Sequence, residues 1–132
     1  PVVGGSVGGA LFPQVRKENP QFLADYRKTF CTEDSIFTGL DRKLASARKG
    51  YSMNYGETWV TYVLSPGANW NGPIRDFRLV VDKGDPGSLV SFCMDGVKKI
   101  SPSRFEVRKR DFTPKGDLRV LILKFEEYES GE

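Results

Sequence analysis

The chain contains 132 residues, of which 39% are hydrophobic and 28% charged, and its formal net charge at pH 7 is +3. This length and composition are typical of one soluble globular domain that can bury its own core. No apolar stretch is long enough to span a bilayer, which argues against a helical membrane span. The mild charge argues against nucleic acid as a partner, because proteins that bind it usually concentrate basic residues on one face.

The N-terminal segment, residues 1–18, is predicted to be an irregular lead-in. It opens with the glycine-rich run PVVGGSVGGA, but a phosphate-binding loop would need a preceding strand and a following Gly-Lys-Ser or Gly-Lys-Thr. The chain also starts with Pro1 rather than Met and shows no signal peptide. We therefore expect a processed product or an excised domain.

Residues 19–50 are predicted to form two amphipathic helices. Asn19 followed by Pro20 is typical of a helix start, and apolar residues then recur at helical spacing. A second segment opens at Thr32 with two acidic residues, which favour the positive end of a helix dipole, and Gly50 is typical of a helix end. We expect the two helices to meet near Thr32 and to pack their apolar stripes on a sheet.

The remainder, residues 55–126, is predicted to be β-rich. β-branched and aromatic runs or apolar alternation predict strands at residues 58–64, 77–81, 89–93, 104–111 and 118–125. The last of these is nearly all apolar, so we expect a central strand covered on both faces, followed by a frayed acidic tail. The predicted fold class is α+β, in a single domain over 1–132. It is a mainly antiparallel sheet or sandwich of about five strands, with an N-terminal pair of helices packed beside it.

The two cysteines, Cys31 and Cys93, leave two alternatives open at the level of the residues. Their spacing is not that of a metal site, and the chain has no histidine to complete one. Either both are buried thiols in a reducing compartment, or they form a disulfide that ties the helical segment to the sheet. No metal and no cofactor is expected.

A basic segment is the best candidate for a binding site. It comprises Lys98, Lys99, Arg104, Arg108 and Arg110, together with Lys109 and Lys115. Gathered on one exposed face of a sheet, these residues would attract an anionic ligand. The alternative is a solvated outer face whose charges deter edge-to-edge association. Acidic residues interrupt the run and no aromatic residue interleaves with it, which argues against a platform for nucleic acid.

The two tryptophans bracket a turn that contains Asn71-Gly72, a strong turn signal. Trp59 and Trp70 could form a platform on which a sugar stacks. Packing in the core is favoured for Trp59, and less strongly for Trp70, because Trp70 lies in the turn. Trp70 is therefore retained as a candidate ligand-binding residue.

No catalytic residue is assigned. The absence of histidine excludes Ser-His-Asp and Cys-His arrangements within the chain. Paired carboxylates could serve a hydrolase such as a glycosidase, and the candidates by residue type are Asp76, Asp82, Asp85, Asp95 and Asp111. Most lie in predicted turns, where Asp ordinarily forms the turn itself. Asp82 and Asp85 offer oxygens for calcium, but their loop lacks the regular ligand spacing of a calcium motif.

Several motifs, spread over most of the chain, carry a resemblance to a known family. They are PVVGGSVG at 1–8, YRKTFC at 26–31, YVL at 62–64, GANW at 67–70, GPI at 72–74, DFRLVVDKG at 76–84, LVSFC at 89–93, GVKKISP at 96–102, FEVR at 105–108, DFTP at 111–114 and DL at 117–118. In these segments the chain resembles an uncharacterised bacterial family known as domain of unknown function four-four-two-four. It departs from the family pattern at Pro66 and Met94, and these two differences affect the expected shapes of the turns in which the residues lie.

Members of that family resemble exported proteins with a signal peptide and a further β-rich region before this part. The resemblance therefore implies that the chain is the C-terminal portion of a longer precursor and is periplasmic or secreted. Export favours the Cys31–Cys93 disulfide. No activity, substrate or catalytic residue is implied.

The expected function is that of a non-catalytic exported domain, acting as a binding or structural module toward an anionic ligand or another protein. The alternatives are a carboxylate-dependent hydrolase such as a glycosidase and an anion-binding module that uses the basic strand face. An assembly module, marked by an exposed apolar patch, is a further possibility.

Overall fold

The computed structural model describes residues 2–8, 11–64, 73–114 and 116–130. Its elements follow one another along the chain as β1 (Val2–Gly8), α1 (Pro13–Glu18), α2 (Pro20–Phe30), α3 (Asp34–Leu44), β2 (Tyr51–Tyr62), β3 (Ile74–Asp82), β4 (Leu89–Phe92), β5 (Lys98–Lys99), β6 (Arg104–Phe112) and β7 (Leu118–Glu129).

The predicted pair of helices is confirmed by α2 and α3. Pro20 occupies the first turn of α2, where its missing N–H has no partner to lose. The helix ends because Cys31 adopts the left-handed conformation, with φ at 53°. Tyr26 and Phe30 of α2 are buried, as are two residues of α3, so both apolar stripes face the protein interior.

The described strands form two antiparallel sheets. Sheet 1 has four strands in the order β1-β2-β7-β4, and sheet 2 has three strands in the order β3-β6-β5. The α+β class with N-terminal helices is therefore confirmed. The structure exceeds the predicted five strands by two, β1 and β5, which are respectively glycine-rich and only two residues long.

Strand β7 is the centre of the fold, as predicted from its apolar sequence. Leu121 and Leu123 pack with the helices in one core cluster, whereas Val120 and Ile122 pack against sheet 2 in another. Successive residues of a strand point to opposite faces, so a continuous apolar run fills both clusters. The molecule consequently has three layers: helices, sheet 1 and sheet 2.

Four boundary predictions are wrong. Helix α3 ends at Leu44, not near Gly50, and strand β2 begins at Tyr51, before the predicted start of the β-rich part at residue 55. The lead-in over 1–18 is not irregular, because it holds strand β1 and helix α1. The tail does not fray from residue 126, because β7 continues to Glu129 and pairs with the first residues of β2. An ion pair between Arg48 and Glu127, with a nitrogen–oxygen distance of 2.6 Å, holds this extension.

A disulfide joins the helical layer to sheet 1. Cys31 follows α2 and Cys93 follows β4, and their Cα atoms lie 5.1 Å apart across a sequence separation of 62 residues. A second tether lies beside it, where the Ser91 hydroxyl donates to the carbonyl oxygen of Phe30 at 2.8 Å. The end of α2 is thus fixed to β4 by one covalent bond and one buried hydrogen bond.

Candidate functional site

The outer face of sheet 2 gathers most of the predicted basic residues. Pairing between β3 and β6 sets Asp76 opposite Arg110, Arg78 opposite Arg108 and Asp82 opposite Arg104, while Lys98 of β5 lies opposite Glu106. The inner face of the same sheet is apolar and packs on sheet 1. Alternation along the strands therefore brings five cations and three carboxylates onto one solvent-facing surface, with a net charge of +2. We call these eight residues the arginine face.

Glu106 is shared by two arginines at the middle of this face. Arg78 donates from Nε to Oε2 at 2.7 Å, and Arg108 donates from Nε to Oε1 at 3.0 Å. These two hydrogen bonds, with Arg78 the stronger cause, hold the pKa of Glu106 below its ordinary value. The carboxylate therefore stays ionised and orients both guanidinium groups. Among the described residues no hydrogen bond engages their terminal NH₂ groups, which can therefore bind another anion.

Arg110 extends the set along β6 and is held only loosely. Its side chain is 89% exposed, and its Nε lies 3.9 Å from the nearest Asp76 oxygen. Arg78, Arg108 and Arg110 line one shallow cleft of about 260 Å³, together with Asp76, Phe77 and Lys109. Three arginine residues thus line one open space on the surface.

Arg104 lies farther along the strand with a firmer partner. It donates from Nε to Asp82 at 3.2 Å. Asp82 also accepts a hydrogen bond from the backbone N–H of Gly84 at 2.8 Å, and these contacts, the backbone one first, lower its pKa. Asp82 therefore stabilises a turn and forms an ion pair, which are ordinary structural roles of an aspartate.

The other predicted site residues fall elsewhere. Lys99 follows Lys98 directly and lies opposite Phe105, so alternation places it on the other side of sheet 2. There its charge adds to burial, which is the larger cause, in lowering the pKa of Lys83. Trp70 and Lys115 lie outside the described residues, as does the Asn71-Gly72 turn. Arg78 was not predicted, although its alternation with Phe77 and Leu79 marks it as outward-facing.

Three of the five aspartates considered for hydrolysis do not share a cleft. Asp76, Asp85 and Asp95 line three different clefts. Asp85 accepts a hydrogen bond from the backbone N–H of Gly87 at 2.7 Å, closing a local turn. Across the described ranges, no three His, Cys, Asp or Glu side chains are grouped so that they could hold a metal ion.

A second polar cluster, around Glu57, was missed by sequence reasoning. Glu57 is only 1% exposed, and three aromatic side chains donate to its carboxylate: Tyr26 at 2.5 Å, Trp59 at 3.0 Å and Tyr55 at 3.1 Å. Burial, followed by the hydrogen bond to Glu57, raises the pKa of Tyr26, which stays neutral and donates. The spacing of Tyr55, Glu57 and Trp59 on alternate positions of β2 was the signal available in the sequence.

Trp59 departs from the expectation of a core residue. Its ring makes edge-to-face contacts with Tyr26 and Phe30, with centroid distances of 6.0 Å and 5.5 Å, yet the residue remains 43% exposed. The indole is therefore held by these contacts while a large part of the residue remains exposed to solvent.

None of the helices in the described part of the chain has the length and apolar composition needed to cross a membrane.

Comparison with known proteins places the chain in a family without assigning it an activity. Neither the curated proteins nor the solved structures contain a match to the chain. A family model does match, over residues 1–121, and most of the chain is covered. The chain belongs to the family described as "Domain of unknown function (DUF4424)".

Proposed function

We propose that this protein is an exported, non-catalytic module that binds a linear polyanion, bearing phosphate or sulfate groups, along the arginine face. The observation that carries the proposal is the convergence of Arg78, Arg108 and Arg110 on one cleft. Arg78 and Arg108 lie directly opposite each other on neighbouring strands, where like charges are unfavourable unless a counter-charge is present. Glu106 supplies only one negative charge to the two of them.

The arrangement of cations suits a polymer better than a single small anion. Same-face residues on a strand recur about every 6.8 Å, so Arg108 and Arg110 present charges at a regular spacing. Arg104 continues the row on the far side of Glu106. Guanidinium groups favour phosphate and sulfate because their N–H donors match the oxygen geometry. The cleft is shallow, which suits a ligand that lies across the surface.

Two observations support a non-catalytic, exported protein. The Cys31–Cys93 disulfide is typical of proteins that fold in an oxidising compartment. Two carboxyl groups of the arginine face, those of Asp82 and Glu106, have lowered pKa values. A glycosidase acid needs the opposite, a carboxyl whose pKa is raised so that it keeps its proton.

Fluorescence anisotropy with labelled linear polyphosphate and a labelled heparin fragment tests this function. The triple variant Arg78→Gln, Arg108→Gln, Arg110→Gln should lose at least tenfold in affinity. The slope of log affinity against log salt concentration should be smaller in magnitude by about 2 to 3 for this variant, because each phosphate contact contributes about one to that slope. Oligothymidylate should bind no more tightly than polyphosphate, since none of the eight residues of the arginine face is an aromatic residue on which bases could stack.

A matched control removes the same three charges from the helices. Lys17→Gln, Lys28→Gln, Arg42→Gln changes three exposed residues of α1, α2 and α3. If this variant loses as much affinity as the arginine-face variant, binding follows net charge alone and the site is refuted. Failure of the wild-type protein to bind either polymer would also refute it.

A further inference from the structure

A second surface, on the opposite side of the molecule, lies where the helical layer stops covering sheet 1. Leu121 of β7 is fully buried beneath the helices, whereas Arg119, two residues earlier on the same face, is exposed. Leu121 pairs with Trp59 of β2, and Arg119 pairs with Thr61. The edge of the helical layer therefore runs between these two rows and leaves Trp59, Thr61 and Arg119 adjacent on an open part of the sheet.

The ring of Trp59 is fixed although it is exposed. Its indole N–H donates to the buried Glu57 carboxylate at 3.0 Å, and its ring makes edge-to-face contacts with Tyr26 and Phe30. A charged hydrogen bond to a carboxylate that is 1% exposed restrains the side chain more strongly than a neutral contact would. Because the ring is already ordered, a ligand that stacks on it loses little side-chain entropy in binding.

Arg119 supplies an available positive charge beside that ring. Arg78, Arg104, Arg108 and Arg110 each have a carboxylate partner on the arginine face. In the described part of the chain, by contrast, no carboxylate lies within 4.0 Å of the Arg119 guanidinium, whose donors suit a carboxylate in bidentate fashion. The Thr61 hydroxyl between the two can both donate and accept a hydrogen bond.

We propose that Trp59, Thr61 and Arg119 form a binding site for a carboxylate-bearing sugar of the uronic acid class. A pyranose presents a face of C–H bonds that packs on the negative face of an aromatic ring. Its hydroxyl groups would exchange hydrogen bonds with the Thr61 hydroxyl, and its carboxylate would accept hydrogen bonds from the Arg119 guanidinium. This combination of one flat apolar surface, one hydroxyl and one exposed cation selects an acidic sugar over a neutral sugar or a simple anion.

The proposal is independent of the arginine face. Trp59 and Arg119 lie on the side of sheet 1 that meets the helices, whereas sheet 2 packs on the other side of sheet 1. The variants that test the two surfaces therefore share no residue, and either surface can fail without the other.

The test is calorimetric titration of the disulfide-bonded protein, near physiological salt, with digalacturonate and with a hyaluronan tetrasaccharide. At least one of these uronates should bind, and Arg119→Gln should weaken that binding at least tenfold. The methyl ester of digalacturonate keeps the sugar rings but lacks the charge. It should bind the wild-type protein more weakly than the acid does, and Arg119→Gln should change its affinity less than twofold. Thr61→Val should weaken binding of both the acid and the ester.

Lys124→Gln is the matched control, since it removes one exposed positive charge from β7 at a position of the opposite parity, on the other face of the strand. It should change uronate binding less than twofold, as should the arginine-face triple variant. In a ¹H–¹⁵N spectrum, the indole cross-peak that disappears in Trp59→Phe should shift when the uronate is added to the wild-type protein.

Three results would overturn the site. They are no binding of either uronate, equal losses in Arg119→Gln and Lys124→Gln, or binding of a short polyglutamate as tight as that of the uronate with the same dependence on Arg119. The last would assign the surface to acidic peptides. Arg119→Gln and Thr61→Val decide the matter even if Trp59→Phe does not fold, because both leave the Glu57 hydrogen bonds in place.

Discussion

Trp59 hydrogen-bonds through its indole N–H to Glu57, so an aromatic side chain that is 43% exposed rests on a carboxylate that is 1% exposed. The same carboxylate accepts from Tyr26 on α2 and from Tyr55 on β2. A buried carboxylate is tolerated only where such donors replace the water it has lost. This one residue therefore connects the helical layer, sheet 1 and the exposed indole.

Replacing Glu57 by Gln should destabilise the fold by about 1–3 kcal/mol, measured by urea unfolding. The amide nitrogen of Gln would face Tyr or Trp donors and leave at least one buried polar group unpaired. Glu126→Gln, at an exposed position of β7, is the control and should change the free energy of unfolding by less than about 0.5 kcal/mol. Equal stability of the two variants would contradict the role assigned to Glu57.

Stability should fall as the pH rises above about 10, in part because of Tyr26. Its pKa is raised from the ordinary value of 10.0, chiefly by burial, so the unfolded chain loses the phenolic proton at a lower pH than the folded protein. The unfolded state therefore binds fewer protons in this range, and the free energy of unfolding decreases with pH.

Tyr26→Phe isolates that contribution. The variant should be less stable than the wild type at pH 8, because Glu57 loses a charged hydrogen bond, and the difference should shrink between pH 10 and 11. Urea unfolding at several pH values measures both. A difference that stays constant up to pH 11 would show that the hydroxyl does not titrate with folding.

Removing the disulfide should cost about 4 kcal/mol, the chain-entropy value for a loop of this length. The relevant separation is 62 residues, and the bond anchors the end of α2 to β4. A thiol count on denatured protein should find no free thiol before reduction and two after it. Urea unfolding of the Cys31→Ala, Cys93→Ala variant, with and without reductant, should show a lower midpoint that reductant does not change further.

Two carboxylates with lowered pKa values should respond differently to loss of their arginine. For Glu106 the leading cause is the Arg78 side chain, so Arg78→Gln should raise its pKa toward the ordinary 4.5. For Glu127 the leading cause is the backbone N–H of Arg48, which Arg48→Gln retains, so most of the lowering should persist. Carboxyl ¹³C titration by NMR measures both values.

The direction in which the free energy of unfolding changes with pH follows from the same pKa values. Glu106 and Glu127 have folded pKa values below the unfolded value of 4.5, so their contributions are present above that pH and are lost as the pH falls through the folded values. Arg78→Gln should flatten the acid limb of the stability profile more than Arg48→Gln does. The reverse order would contradict the assignment of causes.

Much of the fold follows from local patterns in the sequence. The apolar stripes of α2 and α3, and the apolar run that makes β7 central, are each set by residues within one element. The alternation in β6 likewise predicts which of its residues face solvent. These features are legible because the period of a helix or strand is short, and burial on one side or both is recorded in consecutive residues.

What the sequence did not reveal depends on partners that are distant in the chain. Strand β1 is rich in glycine and has little propensity of its own, so its extended form depends on pairing with β2, about 55 residues later. Arg78 joins Arg108 and Arg110 only through the register of β3 on β6. The long-range pairing is a property of the whole fold, and no local pattern specifies it.

The sequence by itself therefore determined the class of the fold, its central strand and the basic segment of β6. Only the tertiary structure decided that Glu57 is buried, that Trp59 rests on it while remaining exposed, and that Arg119 lies at the edge of the helical layer with no carboxylate partner among the described residues. The sequence could not show these features because the burial and pairing of a charged or aromatic side chain depend on the groups around it. Those groups come from separate elements that meet only when the layers pack.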